Sequence, residues 1–66
     1  MTLTRPRELD ELPEGTTIEI LDKRGTELVK QGDDWWSTSK TATQNTYAYV
    51  NTRRYGARVT ERGAEQ

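Results

Sequence analysis

The chain has 66 residues, of which 30% are hydrophobic and 32% are charged, and its formal net charge is −1; this length allows one small domain with a limited core. It contains no cysteine and no histidine, which excludes disulfides, thiolate zinc sites, cysteine nucleophiles and histidine general bases. No apolar run resembles a signal peptide or a membrane span, and secreted domains of this size usually carry disulfides, so we expect a cytoplasmic protein.

Charge is uneven along the chain. The first 34 residues carry five Lys/Arg and nine Asp/Glu, whereas residues 35–66 carry five Lys/Arg and two Asp/Glu. This imbalance indicates either complementary acidic and basic patches or ordinary solvated surface charge. We prefer the second interpretation, because both halves share every face of so small a fold.

The N-terminal segment predicts a short helical turn. Pro6 suits the first turn of a helix, and Leu9 and Leu12 fall three residues apart on one face. Pro13 ends the turn, because a residue before proline disfavours the helical region. We expect one domain over the whole chain, with a folded part of about residues 7–61 and frayed termini.

Three strands joined by two tight turns follow. Residues 16–22 alternate, with Ile18 and Ile20 on one face. A D-x-x-G turn leads into a return strand over 26–31, and a G-D-D turn leads into a third strand over 35–39. This pattern predicts an antiparallel meander.

Two adjacent tryptophans stand on the third strand. Neighbouring strand residues point to opposite faces of a sheet, so one indole enters the core and the other faces outward. We assign Trp35 to the core and Trp36 to the outward face, with the reverse assignment left open.

The segment 45–55 fits two structures. As a strand over 46–52, it places Tyr47 and Tyr49 on one face and Ala48 and Val50 on the other. As a helical turn, it begins at an asparagine and is closed by Gly56. The strand is the preferred interpretation, and residues 57–61 are expected to form a short closing strand.

Five short β elements with tight turns predict an all-β domain. We expect a small SH3-like five-stranded barrel or meander preceded by a short N-terminal helical turn, because closure removes exposed sheet edges. The expected core consists of Leu12, Ile18, Ile20, Leu28, Trp35, Val50 and Val59.

Several short motifs resemble those of a known group of proteins. The order of LPEGT, a D-x-x-G turn, a G-D-x-W-W turn and a late YGARVT covers about residues 9–60. It resembles small proteins encoded by actinobacteria and their phages, although Leu28 stands where that pattern often has an aromatic residue. The resemblance implies an SH3-like barrel and a phage-encoded protein in a bacterial cell, and it implies no particular function.

The acidic residues give no reason to expect catalysis. They cluster before the first predicted strand and in the second turn: Asp10, Glu11, Glu14, Asp33 and Asp34. Paired-carboxylate catalysis needs a cleft that a domain of this size rarely has, and a calcium loop needs spaced oxygen ligands that are missing here. We expect no enzyme, no cofactor and no metal site.

Aromatic and arginine residues in the second half favour a binding function. Exposed Trp, Tyr and Arg are enriched in interface hot spots, so we expect a non-enzymatic module that engages a protein, either a host factor or its own copies. The expected partner-binding residues are Trp36, Tyr49, Tyr55, Arg53, Arg54 and Arg58.

Two other functions remain as alternatives. A nucleic-acid-binding accessory protein would stack bases on these aromatics beside the arginines, although an isoelectric point of about 5.3 opposes phosphate binding. A virion or assembly component would pair with another chain through a sheet edge.

Overall fold

One antiparallel sheet of five strands carries two helices on its inner face. The computed structural model describes residues 2–37 and 42–63. In chain order its elements are β1 (Thr2–Leu3), α1 (Pro6–Asp10), β2 (Thr17–Ile20), β3 (Glu27–Gln31), β4 (Asp34–Ser37), α2 (Asn45–Tyr55) and β5 (Ala57–Glu61). The end of the third predicted strand, the start of the loop after it and the tail beyond residue 63 lie outside the described residues.

The strands follow the order β1-β5-β2-β3-β4. The meander β2-β3-β4 confirms the prediction, with Ile18 opposite Leu28 and Lys30 opposite Trp35. β5 lies between β1 and β2 and pairs with both. Among the described residues, β1 and β4 are the edges of an open sheet.

The strand predicted within 45–55 is wrong, because this segment forms the helix α2. Ala48 and Thr52 lie four residues apart on one side of α2, and both are fully buried. Their small side chains let the helix approach the sheet closely, and this packing outweighs the strand preference of the surrounding tyrosines. The domain is therefore mostly β rather than all-β.

Both ends of α2 are fixed to the sheet. At the N-terminal end, Asn45 Oδ1 accepts a hydrogen bond from the Trp35 amide at 2.7 Å, and Asn45 Nδ2 donates to Asp34 Oδ1 at 2.9 Å. At the other end, Gly56 adopts φ 90°, and its carbonyl accepts a hydrogen bond from the Leu21 amide at 2.9 Å. α2 therefore runs across the inner face from β4 to the end of β2.

The core contains most of the predicted residues. Ile18, Ile20, Leu28 and Trp35 are fully buried. The remaining members of the buried cluster are Leu3, Leu9, Ala48 and Ala57, and the partly buried Leu12 and Val59 pack against it. The prediction for Val50 is wrong: its side chain is 54% exposed, because on a helix it turns away from the face that carries Ala48 and Thr52.

The first strand has no counterpart among the predicted elements. β1 is two residues long and pairs with β5, and it brings Leu3 into the core. Gly56 makes room for it, since a Cβ at that position would lie 2.8 Å from Thr2 Cγ2.

The helical turn predicted near Pro6 is confirmed as α1. Its start is held by the Glu8 side chain, whose Oε1 accepts hydrogen bonds from the amides of Thr4 and Arg5, each at 3.2 Å. This back-bonding satisfies donors that a helix start leaves free.

The end of α1 is held by a buried lysine. Lys30 projects from β3 to the inner face and is 5% exposed. Its Nζ donates to the carbonyl oxygens of Leu9 at 3.2 Å, Asp10 at 3.0 Å and Leu12 at 2.9 Å. A cation at the C-terminal end of a helix also opposes the negative end of the helix dipole. Lys30 therefore joins α1 to the centre of the sheet.

Candidate functional site

A groove lies between the β2-β3 turn and one flank of α2. It has a volume of about 480 Å³ and is lined by Asp22, Lys23, Arg24, Tyr47, Asn51 and Tyr55. A smaller cavity of about 70 Å³ shares Arg24 and Tyr47 with it. The two cavities form one concave surface, which we call the turn-helix groove.

Helical spacing produces one wall of the turn-helix groove. Tyr47, Asn51 and Tyr55 are four residues apart and therefore form a stripe along α2. Asn51 Nδ2 donates to the Tyr47 carbonyl oxygen at 2.9 Å, which holds the amide side chain against the helix.

The β2-β3 turn forms the opposite wall. Asp22 Oδ1 accepts hydrogen bonds from the amides of Arg24 at 3.0 Å and Gly25 at 2.9 Å. Gly25 takes φ 60°, a left-handed conformation that costs a glycine little. This turn leaves Lys23 and Arg24 exposed beside the groove.

Tyr47 connects the two walls. Its hydroxyl donates to Asp22 Oδ2 at 2.5 Å and lies 3.1 Å from Thr26 Oγ1. Because the phenol has one proton, the Thr26 hydroxyl donates to the Tyr47 oxygen. The hydrogen bond from Tyr47 lowers the pKa of Asp22 below its usual 3.8, and the same bond raises the pKa of Tyr47 above 10. The Asp22 charge is thus engaged within the fold.

The cations of the groove have no such partners. Neither Lys23 nor Arg24 forms an ion pair with any residue in the described part of the chain. At the rim, the Arg54 guanidinium lies 5.5 Å from the centre of the Tyr55 ring, within the range of a cation-π contact. The groove therefore presents positive charge next to an aromatic ring.

Three large apolar side chains are exposed on the groove or on residues adjacent to it in the turn and the helix. Leu21 is 40% exposed and directly precedes the turn, and Tyr55 is 48% exposed and lines the groove. Val50, three residues after Tyr47 and four before Arg54, lies on the adjoining side of α2. The exposed Tyr55 ring therefore shares one surface with Lys23 and Arg24, which have no ion-pair partner in the described part of the chain.

The predicted partner-binding residues are divided among several surfaces. Tyr55 and Arg54 lie at the turn-helix groove. Arg58 projects from the outer face of the sheet, and its Nε lies 2.6 Å from Glu19 Oε1 on the neighbouring strand. Trp36 also lies on that outer face, opposite Val29.

The assignment of the two tryptophans to opposite faces is confirmed. Trp35 is fully buried, and Trp36, on the other side of the same strand, is partly buried. The Trp36 backbone forms an isolated antiparallel bridge with Thr43, in the chain beyond β4.

Tyr49 lies on the flank of α2 that faces α1, and the exposed Arg53 follows it by four residues on the same side of the helix. The Tyr49 hydroxyl donates to Asp10 Oδ1 at 2.7 Å, which joins the two helices. This hydrogen bond, together with burial and the charges of Asp10, Asp34 and Asp33, raises the pKa of Tyr49 to about 12. Tyr49 is therefore part of the packing between helices rather than of the groove.

Acidic residues gather at the far end of the meander. Asp33 lies in the β3-β4 turn, Asp34 is the first residue of β4 and is bonded to Asn45 at the start of α2, and the charges of both contribute to the raised pKa of Tyr49. Glu14 is near them, since its Oε2 accepts a hydrogen bond from the Gly32 amide at 3.0 Å. Within the described residues, no group of three or more acidic side chains has the arrangement needed to hold a metal ion.

The outward edge of β4 is already paired. The Trp35 amide donates to Asn45 Oδ1, and the Trp35 carbonyl accepts a hydrogen bond from the Gln44 amide at 2.7 Å. The bridge from Trp36 to Thr43 extends this pairing. An added strand from another chain would have to displace these contacts.

Of the six residues that line the larger cavity of the groove, sequence reasoning predicted Tyr55 and missed five: Asp22, Lys23, Arg24, Tyr47 and Asn51. The usable signals were two adjacent basic residues in a D-x-x-G turn and the four-residue spacing from Tyr47 to Tyr55. The four-residue spacing indicates a shared face only on a helix, and the alternating composition of this segment favoured a strand instead.

The comparisons with known proteins give no relative from which the role of this site could be inferred. The chain gives no significant match to any family model, curated protein or solved structure. In the described parts of the chain, no helix has both the length and the apolar character needed to cross a membrane.

Proposed function

We propose that this protein is a non-enzymatic binding module that holds an acidic segment of a protein partner in the turn-helix groove. The proposal rests on one observation: Lys23 and Arg24, which form no ion pair within the described residues, line the same groove as the exposed ring of Tyr55. Clusters of exposed apolar residues with Tyr and Arg are typical of interaction sites. Binding would involve no bond made or broken.

The charges decide the chemistry of the partner. Asp22 is engaged by Tyr47, so Lys23, Arg24 and Arg54 are left to attract carboxylates. The exposed ring of Tyr55 lies beside those cations in the groove. A short segment with exposed Asp or Glu side chains therefore fits this surface, with or without apolar residues next to them.

A nucleic acid fits the charges less well. An extended polyanion needs a continuous basic track, whereas the far end of the meander carries Asp10, Asp33 and Asp34. Arg58, one of the arginines that this alternative needs, is paired with Glu19. A short acidic peptide would contact only the groove and avoid the acidic end.

We further infer an SH3-like relationship for the fold. Its support is the strand order, in which the last strand lies between the first strand and a meander. In SH3-like domains, partners often occupy an aromatic groove, and the motifs that resemble phage proteins favour a partner in the bacterial cytoplasm, either a host factor or another copy of this chain. The helix α2, inserted before the last strand, supplies the groove here.

Fluorescence anisotropy with labelled peptides tests the binding proposal. A peptide of alternating glutamate and leucine should bind at low salt, and Arg24→Glu should weaken its binding by about tenfold, since charged hydrogen bonds contribute about 1.5–3 kcal/mol. Arg7→Glu makes the same charge change at an exposed position of α1 and should leave binding unchanged.

Two results would contradict the proposal. One is equal binding of the acidic peptide by the Arg24 and Arg7 variants, which would place the site elsewhere. The other is a clear preference for a single-stranded oligonucleotide over the peptide, which would favour the nucleic-acid alternative.

A further inference from the structure

The two ends of β3 carry opposite charge. The turn before β3 bears Lys23 and Arg24, and the turn after it bears Asp33, with Asp10 and Asp34 nearby. Turns at opposite ends of one strand point away from each other along the strand axis. The molecule therefore presents a basic groove at one end and an acidic turn at the other.

One carboxylate of the acidic end is free to bind. Asp34 accepts a hydrogen bond from Asn45 Nδ2, and Asp10 accepts one from the Tyr49 hydroxyl. Asp33 is exposed at the tip of a tight turn, and no hydrogen bond or ion pair joins it to another described residue. It is a protruding anion on a narrow hairpin.

We propose that the acidic segment held in the turn-helix groove is the β3-β4 turn of a second copy of this chain. The inference rests on the proposed function of the groove. In the contact, the Asp33 carboxylate of one copy meets Lys23 and Arg24 of the next, an arrangement of charge-assisted hydrogen bonds.

Such a contact joins two different surfaces of the same chain. Heterologous contacts of this kind produce rings when the rotation closes and open filaments when it does not. The net charge of −1 leaves little overall repulsion between copies, a condition that promotes association. The copies would add head to tail, with each groove filled by its neighbour.

Sedimentation velocity over a concentration series tests this association. At an ionic strength of about 0.01 M the average mass should rise with concentration above the monomer value of 7.6 kDa. At about 0.15 M it should return towards the monomer, because the screening length falls from about 30 Å to about 8 Å.

Variants that neutralise either the basic groove or the acidic turn show whether these two surfaces form the contact. Lys23→Gln with Arg24→Gln removes the groove charges, and Asp33→Asn removes the tip charge. Each variant alone should associate about tenfold less tightly. At concentrations where neither variant associates with itself, an equal mixture should form a dimer and nothing larger, since only one intact groove and one intact tip remain per pair. Glu27→Gln, at an exposed position on the outer face, should associate like the original chain.

The outcomes separate this inference from the proposed function. If the protein stays monomeric at low salt but still binds the acidic peptide through Arg24, self-association is wrong and the groove function stands. If it associates equally well after Asp33→Asn, the contact lies elsewhere and the inference is overturned. If neither copies nor peptide bind, both proposals fail.

Discussion

The buried lysine makes the most direct prediction about stability. In Lys30→Met, the new side chain keeps the apolar stem and loses the ammonium, which donates to the carbonyls of Leu9, Asp10 and Leu12. Removing a cation also removes the cost of burying it, which amounts to several kcal/mol. The electrostatic attraction that the variant loses and the burial cost that it avoids therefore largely cancel. The change in the free energy of unfolding then depends on how well the three carbonyl oxygens are hydrogen-bonded without the ammonium.

The three carbonyls are not equally affected. The contact to Leu9 is buried, whereas those to Asp10 and Leu12 are partly buried. Water can replace the ammonium at the partly buried oxygens. The Leu9 oxygen would keep only the hydrogen bond from the Leu12 amide at 3.2 Å, and the loss of its second hydrogen bond inside the core costs about 1 kcal/mol. We expect a total loss of about 2 kcal/mol in the free energy of unfolding.

Urea and thermal denaturation measure this loss. A chain of this length holds about 3–10 kcal/mol of stability, and a loss of about 2 kcal/mol should lower Tm by roughly 8–16 °C. Lys23→Met, the same change at an exposed site, should stay within about 0.5 kcal/mol of the original chain. Equal stability of the two variants would show that the ammonium does not hold α1.

Two further predictions concern aromatic residues. Tyr47→Phe removes the hydrogen bond that lowers the pKa of Asp22. Carbon-13 titration should therefore show the pKa of Asp22 returning towards 3.8. Urea denaturation at neutral pH should show a loss of about 1 kcal/mol in the free energy of unfolding. A lowered carboxyl pKa stabilises the fold at pH above 3.8, and this contribution disappears as pH falls through the folded-state pKa of Asp22. The original chain should therefore be more stable than Tyr47→Phe at neutral pH and lose this advantage in acid. An unchanged Asp22 titration in the variant would refute the role of Tyr47 in lowering that pKa. Trp35→Ala should lower the free energy of unfolding by about 3–5 kcal/mol and unfold much of the protein. Trp36→Ala should lower it by only about 1 kcal/mol. Thermal melts followed by circular dichroism would contradict the assigned faces if the Trp36 variant were the less stable of the two.

The meander was predictable because its signals are local. Alternation placed Ile18 and Ile20 on one face, and the D-x-x-G turn had both the side chain and the glycine that such a turn uses. The opposite orientations of Trp35 and Trp36 followed from strand geometry alone. Each of these inferences needed only neighbouring residues.

Elements that depend on distant partners were not predictable in this way. β1 is two residues long and exists through its pairing with β5, for which the N-terminal sequence carries no local signal. Lys30 looked like an ordinary charged strand residue, and its burial depends on carbonyls about twenty positions away in the chain. The groove has the same origin, since the turn and the helix that form it meet only in the folded chain.

The helix α2 shows how one local choice determines the surface chemistry. In a strand, Tyr47 and Tyr49 would share a face, because side chains repeat every two residues. In a helix, two positions differ by about 200°, so the tyrosines diverge: Tyr47 reaches Asp22 at the groove, and Tyr49 reaches Asp10 on α1. The helical period also brings Tyr55 into line with Tyr47. A strand would have placed both tyrosines on one face of the sheet. In the helix, Tyr49 contacts α1, and Tyr47 lines the groove together with Lys23 and Arg24.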